Sequence, residues 1–207
     1  VDTAPVQAAR VRYWDLAATE GGGAFTVGLL LARDADRKVY VEDIRRGQLS
    51  IGQRDELILQ TAKDDALAYG NTVQIWIEQE PGSSGKETAG DKVTMLRGFP
   101  AHAEKVTGSK EVRAEPVARA AEAGELCVLS ADWTEGFLTR LALFPMGRYK
   151  DEIDALSGAY NKLSLIQYMS PGTTAKAVEG TQTVSRFTRK TVSGSRWGRN
   201  DRRGWRR

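Results

Sequence analysis

Val73-Gln-Ile-Trp-Ile-Glu-Gln-Glu80 reads as a buried strand that ends in acid. Val73, Ile75 and Ile77 point to one face, while Trp76, Glu78 and Glu80 point to the other. A carboxylate at the end of so apolar a strand is costly unless something pairs with it. A structural salt bridge would satisfy Glu78, and so would a bound cation. Glu80 shares its face and either supports a metal or is simply exposed.

Upstream, Arg10-Val-Arg-Tyr-Trp-Asp15 has the same form, with Val11, Tyr13 and Asp15 on one face and Trp14 and Leu16 on the other. Asp15 alone also suits a turn cap. Gly21-Gly-Gly23 is a turn, 24–33 is a strongly apolar strand, Asp34-Ala-Asp-Arg37 is a hairpin turn and 38–44 is a third strand. These three strands with short turns predict an antiparallel meander.

The period then changes. Ser50 can cap a helix over 51–68, which Gly70 ends. The strand 73–78 follows, then a loop Pro81-Gly-Ser-Ser-Gly85 and a helix to about Arg97. A short strand over 103–106 precedes a helix over 111–123. A strand over 126–129, a helix over 132–143 and a last helix over 150–165 complete the pattern. The class is α/β: a central mixed sheet, three-strand meander plus parallel strands, flanked by helices. If the first and fourth strands are parallel neighbours, Asp15 and Glu78 lie side by side at a sheet edge, where ligands of such sheets gather.

The expected organisation is a lead-in over 1–9, a folded domain over 10–170 and a flexible Ser/Thr/Gly/Arg-rich basic tail over 171–207. At 207 residues and 41% hydrophobic, the chain can bury one core. No window approaches the roughly 18 unbroken apolar residues of a membrane span. Residue 1 is Val and no signal sequence follows, so a fragment of a longer protein is expected. Cys127 is the only cysteine and His102 the only histidine. An internal disulfide is excluded, and a Cys/His zinc site or a Ser-His triad is poorly supplied. Any chemistry must rest on carboxylates.

Net charge is +3, unevenly spread. Arg186 to Arg207 holds nine Lys/Arg against Asp201, a net +8 that leaves −5 for 1–185. Arg196, Arg199, Arg202 and Arg203, interleaved with Trp197 and Trp205, suit a polyanion partner or a solvated end. Lys86, closing Gly82-Ser-Ser-Gly-Lys86, and Lys105 and Lys110, around Thr107-Gly108, are candidate phosphate contacts. Gly82-Ser-Ser-Gly-Lys86 is not an ATP-binding loop, because the spacing is short and Glu87 follows the lysine.

The third acidic cluster is Asp151 and Asp154, at the start of the last helix. Acids there are favoured by the helix N-terminal partial charge. The apolar stripe Ile153, Leu156, Tyr160 and Leu163 lies elsewhere, so periodicity reads both aspartates as solvent-facing. Ala155 and Gly158 are small, however, and allow close approach to the sheet. Gathered together, Asp15, Glu78, Asp151 and Asp154 would suit Mg²⁺ or Mn²⁺, which prefer carboxylate and water.

In order, five segments resemble the C-terminal nuclease domain of tailed-phage large terminases. They are Trp14-Asp-Leu-Ala17, Val41-Glu-Asp-Ile-Arg-Arg-Gly47, Ile77-Glu-Gln-Glu-Pro-Gly-Ser-Ser-Gly-Lys86, Lys105-Val-Thr-Gly-Ser-Lys110 with Arg113-Ala-Glu-Pro116, and Asp151-Glu-Ile-Asp-Ala155. The resemblance spans about Val11 to Leu163 and implies an RNase H-like fold akin to Holliday-junction resolvases. It matches Asp15 and Glu78 to the family's first and second metal-binding acids. The third comes from an Asp-Asp-x-x-Asp-Ala-like helix start, where Lys150 here replaces the first acid; Asp151 is favoured as ligand, with Asp154 in support.

The resemblance further implies a two-metal, Mg²⁺- or Mn²⁺-dependent endonuclease that cuts double-stranded phage DNA during genome packaging, with little sequence specificity. It implies a packaging ATPase domain in the same polypeptide, portal and small-terminase partners, no membrane, and the cytoplasm of an infected or lysogenic bacterium. The alternatives are a junction resolvase, and a non-catalytic DNA-binding or motor-docking module.

Overall fold

The strand Ala9–Asp15 (β1) runs antiparallel to Thr26–Arg33 (β2), which pairs antiparallel with Val39–Gly47 (β3). Each apolar run finds its partner through a short connection, and the meander forms as expected. The helix Ile51–Tyr69 (α1) then crosses to Gln74–Gln79 (β4), which adds to β1 in parallel. Ser50 caps α1 with a capping box: its hydroxyl accepts from the Gln53 N–H, and the Gln53 side chain accepts from the Ser50 N–H.

The remaining elements are Ser83–Met95 (α2), Ala101–Lys105 (β5), Lys110–Glu122 (α3), Leu126–Val128 (β6), Thr134–Ala142 (α4) and Asp151–Leu165 (α5). The computed structural model describes residues 1–17, 23–79, 83–147 and 150–166, apart from the side chains of Ser83, Ser84 and Glu87. These residues belong to one compact unit, Val1–Pro171. Among them the six strands form a single mixed sheet in the order β5-β4-β1-β2-β3-β6, with β5 parallel to β4 and β6 parallel to β3. The fold is α/β and RNase H-like. No described helix is long and apolar enough to cross a membrane.

The alternation along β1 and β4 builds two cores. Trp14, Ile75 and Ile77 pack with Ile58 and Ala62 of α1 and Ala89 of α2. Val11, Tyr13, Leu29 and Leu31 pack on the opposite face, against Val117 of α3, Phe137 of α4 and Ala155, Leu156, Ala159 and Leu163 of α5. The sheet is thus a middle layer with helices on both sides.

Several boundaries depart from expectation, three of them for a visible reason. The helix α2 starts at Ser83, so Ser83 to Gly85 belongs to helix rather than loop. One glycine costs about 1 kcal/mol against Ala in a helix interior, and the turns after Lys86 outweigh it. The strand β5 begins two residues early, at Ala101, because it continues the parallel register with Ile75. The strand β3 runs on to Gly47, held by pairing with β2 through Thr26.

The burial of α5 also differs. Periodicity placed Asp151 and Asp154 in solvent, yet they are 9% and 2% exposed. The helix is buried from Asp151 to Ala159 because it lies across β1 and β2 with α3 and α4 against its flanks. Such a helix has no solvent face for periodicity to report. Gly158 makes this possible: a Cβ there would run into the ring of Tyr13.

Candidate active site

The site is built by the parallel pairing of β1 with β4. Their last paired residues are Trp14 and Ile77, so Asp15 and Glu78 lie next to each other at the carboxyl ends of two adjacent strands. The chain after Asp15 is anchored from below. Buried Arg54 donates to the Ala17 carbonyl at 2.7 Å, and the Ala17 N–H donates to Thr26 Oγ1 at 3.0 Å. The start of α5 brings Asp151 and Asp154 to the same strand ends.

Each acid has a different setting. Glu78 accepts from the Tyr13 hydroxyl at 3.2 Å and lies 3.5 Å from the Arg113 guanidinium. Asp154 is held on one oxygen by Arg113 at 2.8 Å and on the other by the Lys110 ammonium. Asp151 accepts from the Phe25 N–H at 3.0 Å. Asp15, partly buried, has no hydrogen bond or ion pair among the described residues.

The electrostatics follow from this imbalance. Burial raises the Asp15 pKa well above the usual carboxylate range, and the charges of Glu78, Asp154 and Asp151 push it further up. Burial also raises Glu78, against the opposing pull of Arg113. Burial alone would lower Lys110, but its hydrogen bond to Asp154 and the charges of Asp154, Asp15 and Asp151 raise it. Among the described residues, four acids face two cations, Lys110 and Arg113. The centre lacks positive charge.

The donor set fits a hard divalent cation: four carboxylates, neither sulfur nor imidazole, and one acid without a partner. As they stand, no three acids among the described residues are close enough to grasp one ion. Lys110 and Arg113 occupy part of the space between them.

A further network steadies this end of the sheet. Glu152, 1% exposed on its side chain, pairs with Arg46 of β3 at 2.7 Å and with Arg140 of α4. The Arg46 guanidinium lies 3.2 Å from the centroid of the Phe25 ring, and the Phe25 N–H holds Asp151. Adjacent acids on α5 are therefore fixed by one connected set.

Of the residues singled out from sequence, Asp15, Glu78, Asp151, Asp154 and Lys110 come together. Lys105 is exposed at the end of β5, and Lys86 is exposed on α2. Glu80, Arg196, Arg199, Arg202 and Arg203 lie outside the described residues. Sequence reasoning missed Tyr13 and Arg113 as partners of the acids. The signal for Arg113 was its spacing of three from Lys110 on one helix, which puts both on a shared face. Nothing local marks Tyr13, whose hydroxyl matters only because β4 lies beside β1.

Comparison with known proteins identifies the family and the fold. Residues 12–163 match the model of the terminase RNaseH-like domain. Among solved structures, the large terminase nuclease of thermophilic phage G20c with bound zinc is 16% identical, with a TM-score of 0.57 over 78% of this chain and 85% of that one. The same nuclease with bound magnesium gives 13% identity and a TM-score of 0.57 over the same shares. The form with bound cobalt gives 15% and 0.55. No curated protein matches the chain.

Proposed function

This chain belongs to the terminase RNaseH-like domain family, and from that premise we propose that it is a metal-dependent endonuclease that cuts double-stranded phage DNA during genome packaging. The observation that carries the reading is Asp15: a carboxylate without a hydrogen-bond or ion-pair partner among the described residues, with three more acids acting on it, where β1 and β4 run side by side. Such a group calls for a cation. The G20c relatives were solved with zinc, magnesium and cobalt bound, which supports divalent metal here. Mg²⁺ or Mn²⁺ suits an all-carboxylate donor set best.

Asp15, Glu78 and Asp151 would hold the divalent ions, with Asp154 in support. When bound, two divalent ions activate a water for attack on phosphorus and stabilise the departing 3′ oxygen. The chain's own groups do the rest. Tyr13 orients Glu78 by its hydrogen bond, and Phe25 orients Asp151. Lys110, Lys105 and Lys86 offer ammonium groups to DNA phosphates. Arg196, Arg199, Arg202 and Arg203 supply further positive charge for phosphates. Phosphate contacts carry no base information, so cutting has little sequence preference, and binding weakens steeply with salt. A packaging ATPase domain of the same polypeptide, with portal and small terminase, supplies the setting, in the cytoplasm of the host bacterium.

The test is incubation of the chain with supercoiled plasmid and Mn²⁺, beside Asp15→Asn and an EDTA control. Nicking and linearisation only in the metal-containing wild type supports the nuclease. Equal activity in Asp15→Asn places the chemistry elsewhere. Cutting confined to four-way junctions turns the reading towards a resolvase, and binding without any cutting turns it towards a docking module.

A further inference from the structure

Lys110 opens α3 and is 47% exposed on its side chain, yet its ammonium turns inward to Asp154, which is 3% exposed. The charges that act on it are those of Asp154, Asp15 and Asp151, three of the four acids in the centre. A long side chain at a helix start gives up rotamer freedom to adopt that pose. It does so where the acids most need positive charge. Arg113 is different: 13% exposed, it spans Asp154 at 2.8 Å and Glu78 at 3.5 Å and is held from both sides. Among the described residues Lys110 has one partner, and its flexible stem is about half exposed. Between them the two cations take both oxygens of Asp154, and no three acids among the described residues are left close enough to share an ion.

Resting on the nuclease reading above, we propose that Lys110 is a built-in counter-cation of the acidic centre: it competes with divalent metal for the Asp154 carboxylate, and metal binding releases it to a DNA phosphate. An ammonium and a divalent ion repel each other across so short a gap, so both cannot sit on Asp154 together. Metal therefore has to displace Lys110, and the released ammonium faces the solvent from which DNA approaches. Because linkage is reciprocal, metal strengthens DNA binding and DNA strengthens metal binding.

The experiment is calorimetric titration of Mn²⁺ into the metal-free full chain, with wild type, Lys110→Gln, Lys110→Arg and Asp15→Asn side by side. Lys110→Gln removes the competitor and should bind Mn²⁺ at least about five-fold tighter. Lys110→Arg keeps the charge and should stay near wild type. Unchanged or weaker Mn²⁺ binding in Lys110→Gln overturns the inference, and if Asp15→Asn has meanwhile lost binding, the nuclease reading survives. If Asp15→Asn binds as well as wild type, or wild type takes up no Mn²⁺, the reading and the inference both fall. A second readout needs no folded variant beyond the one used for assignment. The Lys110 Nζ resonance of the wild-type chain should move towards that of a free lysine when Mg²⁺ is added, and a resonance that stays in place overturns the inference.

Discussion

The two faces of β1 treat buried charge in opposite ways. On the α1 side, Arg12 donates twice to Asp65, at 2.9 and 2.7 Å, and once to Asp43 at 2.8 Å, while Arg45 shares Asp43. Two arginines meet two aspartates, and the account closes within the chain. On the α5 side, three residues further along, Asp15 opens a cluster of four acids with two cations. Burying an ion pair is tolerable when geometry and hydrogen bonds are good. Burying surplus charge of one sign is tolerable only if something from outside completes it. The first face is architecture, and the second is the one proposed to hold metal.

The sharpest way to break this contrast is to remove one acid from each face. Asp15→Asn, Glu78→Gln or Asp151→Asn should lower plasmid cleavage by roughly 10³-fold or more, because residues that act as one unit fail together. Gel quantitation of nicked and linear product checks it, and the fold should survive each change. Asp65→Ala, on the other face, should leave buried Arg12 with Asp43 as its one acidic partner and cost about 3 kcal/mol of stability, read by urea denaturation. If Asp65→Ala leaves stability unchanged, the distinction between the two faces is lost.

A smaller effect tests how α5 carries its acids to the sheet. Gly158→Ala sets a methyl against Tyr13 and should cost about 1–3 kcal/mol, with cleavage reduced beyond what the stability loss explains. Tyr13→Phe in the same background leaves the clash in place but removes the hydrogen bond to Glu78, so the two contributions separate. A stable Gly158→Ala variant would mean that α5 stands further off the strand than the structure has it.

The smallest effect has an unusual sign. Asp15 and Glu78 keep their protons to higher pH in the folded state than in the unfolded chain. Their contribution to metal-free stability is full below the ordinary carboxylate pKa of about 4. It is lost as pH rises through their raised folded values. Asp15→Asn removes the largest part of that loss, so in EDTA it should melt about 2–4 °C above wild type near neutrality. The gap should close as the pH falls towards 4. Melting curves across pH check this, and added Mg²⁺ should reverse the order.

The same contrast explains what could be read without coordinates. Asp15 and Glu78 stood out because each ends an apolar strand, and because a meander followed by one helical crossover makes β1 and β4 parallel neighbours. Both are local patterns with a short topological step between them. Asp151 and Asp154 stand out as acids at a helix start and through the family resemblance, but periodicity alone turns them to solvent, since a helix buried on every side gives it nothing to point away from. Arg113, Tyr13 and the Glu152–Arg46–Phe25 chain went unread because their roles come from contacts between distant segments. The start of β5 slipped by two residues for a similar reason: its register belongs to β4, not to its own sequence.

The most direct test is a crystal of the chain grown with Mn²⁺ and measured for anomalous scattering. The account expects peaks bounded by carboxylate oxygens of Asp15 together with Glu78 and Asp151, at the ends of β1 and β4. Ordered Mn²⁺ bound away from Asp15, with that carboxylate still lacking a partner, would contradict it.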